Sequence, residues 1–331
     1  MEARNPELPP RPPGAVNALV RGFNALTGNV SVILFPVALD VFLWLGPRLR
    51  VDSFLAPLFK QAFKLQKSSP ILFPSTLPTV TFAEVRSGLQ TINLFAFLRT
   101  YPFGVFSLMM GNTSTSSPLG PRLSWEIPGW LSLLGSPLLL VGAGLLLGAL
   151  YFYFVSRVAL RPLKGPGFGR AMFHSLVLWV VWTVIFYILY PILLVAASFL
   201  LNNSLVIIVI FFLLAWPVTW LCLMTFFSTH AVFTDSKNAI ASLTHNFRLL
   251  RYGMPPIGWF ALMAVIISRG MDLLWLLPPA KSWMALVGIL GHAFISTGLL
   301  AASFIYYRDL SAWLEEALQW INTHQVTSAR A

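Results

Sequence analysis

The stretch GSPLLLVGAGLLLGAL occupies residues 135–150 and contains no charged side chain. The apolar run around it extends over residues 129–156, which is longer than the roughly 20 residues that cross a hydrocarbon core about 30 Å thick. An α-helix satisfies its backbone hydrogen bonds internally, so it is the form in which such a run can lie in lipid. This stretch therefore predicts a transmembrane helix.

The composition of the whole chain favours the same class. Of the 331 residues, 57% are hydrophobic and 10% are charged, and the mean hydropathy is +0.75, whereas a soluble domain has about 25% charged residues. We therefore predict an all-α, polytopic integral membrane bundle with interfacial amphipathic helices. The net charge of +11 lies largely in connecting segments, where Lys and Arg meet anionic lipid headgroups, so nucleic acid is not an expected partner.

Six apolar runs predict six spans. Their limits are residues 29–46, 129–156, 172–201, 204–233, 254–277 and 283–307. The first run is the weakest, because it has only 18 residues and is interrupted by Pro36 and Asp40. It predicts either a half-helix or a tilted span that depends on its neighbours to satisfy its backbone.

The distribution of basic residues predicts the orientation. Lys and Arg are frequent in residues 157–170 and 234–253, absent from 202–203 and single in 278–282. Short cytoplasmic loops carry an excess of these residues, so we expect a multi-pass protein of the cell membrane with both termini in the cytoplasm. The cations expected to set the orientation and to contact lipid headgroups are Arg157, Arg161, Lys164, Arg170, Lys237, Arg248 and Arg251.

The predicted organisation has five parts. They are a disordered proline-rich tail (1–14), a cytoplasmic amphipathic helix with the first span (15–46), an extracytoplasmic and largely interfacial segment (47–128), a bundle of five spans (129–307), and a cytoplasmic amphipathic helix with a tail (308–331). In the extracytoplasmic segment, residues 51–67 have the pattern of a helix in the membrane interface. Residues 81–110 mix charges with aromatics, so they are expected to lie on or dip into the membrane, with a full span as the alternative.

Two similar stretches place an aspartate inside an apolar run: VALDVFLWLGP (37–47) and GMDLLWLLPP (270–279). At 1.5 Å per residue, Asp40, Arg269 and Asp272 lie roughly 8–12 Å from the external ends of their spans, and His292 about 14 Å from its own. These four residues form a candidate intramembrane polar cluster. One interpretation is a structural ion pair of Arg269 with Asp272, three residues apart, while Asp40 binds elsewhere. The other is a transport or proton-relay site, because intramembrane ionisable groups often mark a pathway.

The chain also contains an internal similarity and a resemblance to a known family. NALVRGFNALTGN (17–29) and NAIASLTHNFRLLRYG (238–253) each precede one of the aspartate-bearing runs, which leaves a true repeat and a chance similarity as alternatives. The order of KNAIASLTHNFRLLRYG, a span, a turn, a last span and AASFIYYRDLSAWLEEAL resembles integral membrane domains of the YciC type and the membrane domain attached to some glycerophosphodiester phosphodiesterases. The resemblance covers about residues 150–318. Its matching positions are Ala239, Ser242, Asn246, Phe247, Tyr306, Tyr307, Arg308 and Asp309.

That resemblance implies a helical membrane domain without an agreed biochemical activity, and the residues themselves contain no catalytic motif. The 11 acids are dispersed, and the single cysteine, Cys222, excludes an internal disulfide and a cysteine-based metal cluster. We expect no enzyme activity, metal or cofactor. The predicted function is a scaffold, accessory or permease-like subunit of a membrane assembly, with lipids and other membrane subunits as partners. The alternative is a small-solute, lipid or proton-coupled transporter that uses the polar cluster.

One packing motif supports either function. Gly144 and Gly148 have the small-xxx-small spacing that permits close approach of another backbone. The approaching backbone can belong to this chain or to a partner.

Overall fold

The computed structural model describes residues 10–68, 81–161, 165–200, 220–234 and 238–328. These residues are mostly helical. The α-helices are α1 (Ala15–Thr27), α2 (Leu34–Leu45), α3 (Asp52–Ser68), α4 (Phe82–Thr91), α5 (Trp130–Ala159), α6 (Phe168–Leu200), α7 (Trp220–Thr234), α8 (Ala239–Trp275) and α9 (Ala285–Ser328). Short 3-10 helices lie at Val30–Ile33, Leu94–Leu98 and Met109–Gly111.

Four helices among the described residues, α5, α6, α8 and α9, are long and apolar enough to cross a membrane. α1 and the stretch Val30–Leu45 pass the same test together, although they are bent by 96°. The predicted fold class, an all-α membrane bundle, is confirmed. The first predicted span is the second half of this bent pair. Of the fourth predicted span, residues 204–219 lie outside the described part, and the remainder lies in α7.

The breaks between helices follow local sequence. Asn29 leaves the helical region with φ −148° and ψ 56°, which separates α1 from the following stretch. In α8 the non-helical residue is Gly253, and Pro255 and Pro256 follow it, so α8 bends at the start of the span predicted over residues 254–277. By contrast, α9 continues through residue 308, where a separate helix was predicted, because residues 299–328 contain neither Gly nor Pro to end it.

Helix α9 lies at the centre of the bundle, and α1 runs antiparallel along it. Trp313 Nε1 donates to the Pro10 carbonyl at 2.9 Å, whereas further along α1 the rings of Phe23 and Phe294 are 5.9 Å apart. Between these contacts, Gly22 lies so close to the Ala302 backbone that any side chain at 22 would clash. The amphipathic α1 therefore forms one side of the bundle beside the predicted last span.

Residues 46–68, 81–93 and 110–128, which we call the cap segment, cover one end of the bundle. Strand β1 (Arg48–Arg50) pairs in parallel with β4 (Ser124–Glu126), and β2 (Ser116–Ser117) pairs antiparallel with β3 (Gly120–Pro121). The helix predicted over residues 51–67 is confirmed as α3. Trp44 Nε1 donates to the Ala280 carbonyl at 2.7 Å, which places the turn between α8 and α9 at this same cap end.

Two arginines of the cap segment bind the carbonyl ends of helices. Arg122 donates from Nη2 to the Leu43 carbonyl at 2.6 Å and from Nε to the Gly46 carbonyl at 3.0 Å. Arg48, only 2% exposed, donates to the carbonyl of Gln90 at 2.9 Å. Each cation meets the unpaired carbonyls at a helix C-terminus, where positive charge is favourable. Burial, together with the charge of Arg48, lowers the pKa of Arg122 to about 10, so this guanidinium is still charged at neutral pH.

Residues 94–109, which we call the inserted loop, leave the cap segment and enter the bundle. Leu98 packs against Gly144 of α5, and a Cβ at Gly148 would lie 2.9 Å from Gly104 Cα. The fully buried ring of Phe103 lies 5.9 Å from the ring of Phe152. Gly148 is roughly 27 Å along α5 from its start, at 1.5 Å per residue. The loop therefore lies inside the bundle and not on its surface. Gly144 and Gly148 leave the space that the loop backbone occupies.

Candidate functional site

Asp40, from the first aspartate-bearing run, holds the end of the inserted loop. Its side chain is fully buried on α2 and accepts hydrogen bonds from Ser107 Oγ at 2.5 Å and from the backbone N–H groups of Leu108 and Met109, each at 3.0 Å. Irregular backbone at membrane depth has donors that lipid cannot satisfy. The carboxylate supplies acceptors for them, which is a structural role for Asp40.

Asp272 and His292 form a direct pair between α8 and α9. Their Oδ1 and Nδ1 atoms lie 2.8 Å apart, and the side chains are 18% and 9% exposed. Because a carboxylate only accepts, His292 Nδ1 carries the hydrogen of this bond. His292 Nε2 is buried without a hydrogen-bond partner among the described residues. The pair therefore orients an imidazole that has one nitrogen available for a second proton or a donor.

Arg269 is only a distant partner of Asp272. Its Nη1 lies 3.9 Å from Asp272 Oδ2, and its side chain is 82% exposed. An exposed pair of this kind contributes little, about 0–1 kcal/mol. The ion pair expected between these two residues is thus present at long range, and His292 is the closer partner of the carboxylate.

The structure brings the four predicted residues to the same end of the bundle but does not bond them all together. Asp272 contacts His292, and the exposed Arg269 is a distant partner of Asp272. Asp40 is hydrogen-bonded to the inserted loop and is close enough to His292 for an electrostatic interaction. Arg99 of the inserted loop also lies within electrostatic reach of Asp40, Asp272 and Arg269. No sequence pattern indicated Arg99, because its position depends on the path of the loop. A common site for the four residues stays a prediction.

A second set of buried polar groups lies deeper in the bundle and was not predicted. His230 of α7 is fully buried, with Nε2 2.7 Å from Ser303 Oγ and Nδ1 2.8 Å from the Phe226 carbonyl oxygen. The hydroxyl groups of Tyr151 and Thr297 lie 2.9 Å apart. These groups are satisfied by each other and are enclosed by aromatic rings such as Phe304, whose centroid is 4.4 Å from that of His230.

The described members of the predicted headgroup set lie at the end of the bundle away from the cap segment. Arg157 stands over the Tyr153 ring at 4.7 Å, and Arg251 over the Tyr252 ring at 5.7 Å. Arg170 Nη2 donates to Asn238 Oδ1 at 3.4 Å. The remaining members of the set in the described part are Arg161 and Arg248, which are exposed, while Lys164 and Lys237 lie outside the described residues.

The positions that carry the family resemblance lie mainly between α8 and α9. Ser242, Asn246, Tyr306 and Tyr307 are fully buried. Ser242 Oγ donates to the Ser228 carbonyl at 2.8 Å, and the rings of Phe260 and Tyr306 stack with centroids 4.2 Å apart. Packing of the two helices accounts for the small and aromatic residues at these positions.

The fold and these contacts define the class of protein: an all-α membrane protein with an inserted loop held by a buried carboxylate. Comparison with family models, curated proteins and solved structures finds no match for the chain. The resemblance to YciC-type domains therefore stays a prediction. Within the described residues, no group of three or more His, Cys, Asp or Glu is arranged to hold a metal ion.

Proposed function

We propose that the chain is a non-catalytic scaffold or accessory subunit of a membrane assembly. The observation that supports this most is that several of its buried polar groups bind to one another within the chain. Asp40 accepts three hydrogen bonds from the inserted loop, and His230 and Tyr151 each bond to a hydroxyl group of α9. Groups bound in this way fix the bundle in one arrangement, which suits a rigid component better than a transport pathway.

The exposed faces of two spans provide the surface for such an assembly. The most apolar windows of α6 and α8 are 17% and 11% buried inside the chain, against 61% for α9. Large apolar side chains on these faces include Tyr187 on α6, and Trp259 and Val265 on α8. Lipid or another membrane subunit can cover them, and the proposal is that α8 contacts a subunit.

We further propose that the protein is a multi-pass protein of the cell membrane with both termini in the cytoplasm. The described members of the basic set, such as Arg161 and Arg248, lie at the end away from the cap segment. The positive-inside rule then supports a cytoplasmic location for that end.

The scaffold proposal is tested by purifying the full chain from its own membranes in a mild detergent and determining its mass in the native state. We expect a stoichiometric complex heavier than the 36.8 kDa chain. Val265→Trp on α8 should reduce the fraction in the complex, because an added ring disturbs a packed interface. Leu139→Trp on the exposed face of α5 is the matched control and should leave that fraction unchanged. A lone monomer, or equal effects of both variants, would contradict the proposal.

A proton-coupled transporter is the second candidate, and one observation favours it. His292 has a buried Nε2 without a partner in the described part of the chain, is bonded to Asp272, and is within electrostatic reach of Asp40. If this candidate is right, vesicles that contain the protein and a trapped pH dye should show proton flux. His292→Gln and Asp272→Asn should remove that flux, and the exposed Glu315→Gln should not. Absence of flux in the unchanged protein would exclude this candidate.

A further inference from the structure

A pocket of about 420 Å³ opens where the cap segment meets the inserted loop. Its walls come from the residues that follow α4, from the start of the inserted loop and from the turn after Met109. It lies apart from the contact between Asp272 and His292, neither of which lines it. Neither Asp nor Glu is among the lining residues.

The two amide side chains in the pocket have their oxygens occupied, and within the described residues neither NH₂ group makes a hydrogen bond. Asn93 Oδ1 accepts from the backbone N–H of Leu49 at 3.0 Å and of Phe95 at 3.2 Å. Asn112 Oδ1 accepts from the backbone N–H of Ser114 at 3.0 Å, while its Nδ2 is buried without a hydrogen-bond partner among the described residues. Because backbone N–H groups fix both amide oxygens, each amide keeps an NH₂ group for a ligand.

Arg99 adds a cation to these donors. Its guanidinium contacts Met110 Sδ at 3.5 Å, and in the described part of the chain no carboxylate oxygen lies within 4.0 Å of it. Asp40 and Asp272 are close enough to attract it, and Arg269 is close enough to offset part of that attraction. One guanidinium and two amide NH₂ groups form a set of donors, and a phosphate or carboxylate oxyanion is the ligand that accepts from such a set.

Part of the pocket wall is apolar and open to the surroundings. Ile92, Phe97 and Met110 line the pocket and are 40%, 44% and 41% exposed. Exposed apolar side chains next to a donor set fit a ligand with an anionic head and a hydrocarbon stem. The cap segment and the inserted loop together carry an excess of cations, with eight Lys and Arg against three acids over residues 47–128, which raises the local concentration of anions.

We infer that this pocket binds an anionic amphiphile, with the phosphate or carboxylate at Arg99, Asn93 and Asn112 and the stem along Phe97 and Met110. The oxyanion can belong to a lipid headgroup or to a free anion, and the apolar wall favours the lipid. This site is independent of the proposed scaffold function.

In the test, each probe is titrated into the purified full chain in a neutral detergent. Binding is measured from the shift in the thermal unfolding midpoint. The probes are a short-chain phosphatidic acid, a phosphatidylcholine of the same chain length, and inorganic phosphate. We expect the phosphatidic acid to bind at least tenfold more tightly than either of the others. Arg99→Gln should weaken it roughly tenfold, the usual effect of losing one charge-assisted hydrogen bond.

Two further variants keep this test decisive. Arg86→Gln removes an exposed cation of α4 that does not line the pocket, and it should leave binding unchanged. Asn112→Asp retains an oxygen for the Ser114 N–H but replaces the free donor by a negative charge, so it should abolish binding without unfolding the chain. Equal affinity for phosphatidylcholine, or unchanged binding in both pocket variants, would overturn the inference. Equal affinity for inorganic phosphate would replace the amphiphile by a free oxyanion.

Discussion

At the scale of single residues, Asp40 and Asp272 occupy similar sequence contexts but have different partners. Asp40 is bonded to three donors of the inserted loop, and Asp272 to an imidazole on α9. A buried carboxylate is tolerated where several donors compensate for the loss of water. Asp40 meets this condition within its own chain, so its burial needs no transported ion to explain it.

We predict that Asp40→Ala destabilises the protein by roughly 3 kcal/mol, because it leaves the buried N–H groups of Leu108 and Met109 without acceptors. Asp40→Asn retains one acceptor oxygen and should cost less. The measurement is denaturant or thermal unfolding in detergent, with the exposed Glu315→Gln as the control. If Asp40→Ala unfolds like the control, the carboxylate does not hold the loop.

At the scale of elements, the inserted loop depends on the glycines of α5. Gly144 faces the Leu98 carbonyl and Gly148 faces Gly104, whereas a Cβ at Gly142 of the same helix would meet nothing within 4 Å. The small-residue face is therefore used inside the chain, by a non-helical segment. A helix dimer through this face would have to displace the loop.

Gly144→Ala and Gly142→Ala form a matched pair on one helix. The first should destabilise the protein by about 1–3 kcal/mol, because the new methyl group overlaps with the backbone of the loop. The second should be neutral or stabilise by up to about 1 kcal/mol, since Ala favours the helix. Unfolding midpoints of the two variants give the comparison, and similar midpoints would mean that the loop does not lie against Gly144.

At the scale of the whole molecule, the cap segment covers one end, and the described members of the predicted headgroup set, such as Arg161 and Arg248, lie at the other. This arrangement predicts that the two ends face opposite sides of the membrane. In a Cys222→Ser background, Thr113→Cys in the cap segment should react with an impermeant maleimide from outside intact cells. Gln319→Cys near the end of α9 should react only after permeabilisation. Labelling of both positions from one side would contradict the proposed orientation.

The sequence predicted the features that depend on neighbouring residues. Uninterrupted apolar runs predicted the membrane class, and the apolar run 254–277 predicted a span that lies in the second part of α8. The partner of Asp40 could not be predicted, because Ser107 lies 67 residues away in the chain and nothing local indicates the contact. The depth of the inserted loop was missed for a related reason: residues 94–109 have the mixed composition of an interfacial segment, and only the glycines of α5 allow them inside.

The antiparallel packing of α1 on α9 also limits how early during synthesis α1 can make its native contacts. Arg21 pairs with Asp309 at 2.7 Å, and the two residues are 288 positions apart. At about 5–20 residues per second of synthesis, the first helix waits roughly 15–60 s for its partner. During that interval its apolar face has to be sheltered by lipid, by the insertion machinery or by a chaperone. Residues that are synthesised 288 positions later thus complete the site on which α1 packs.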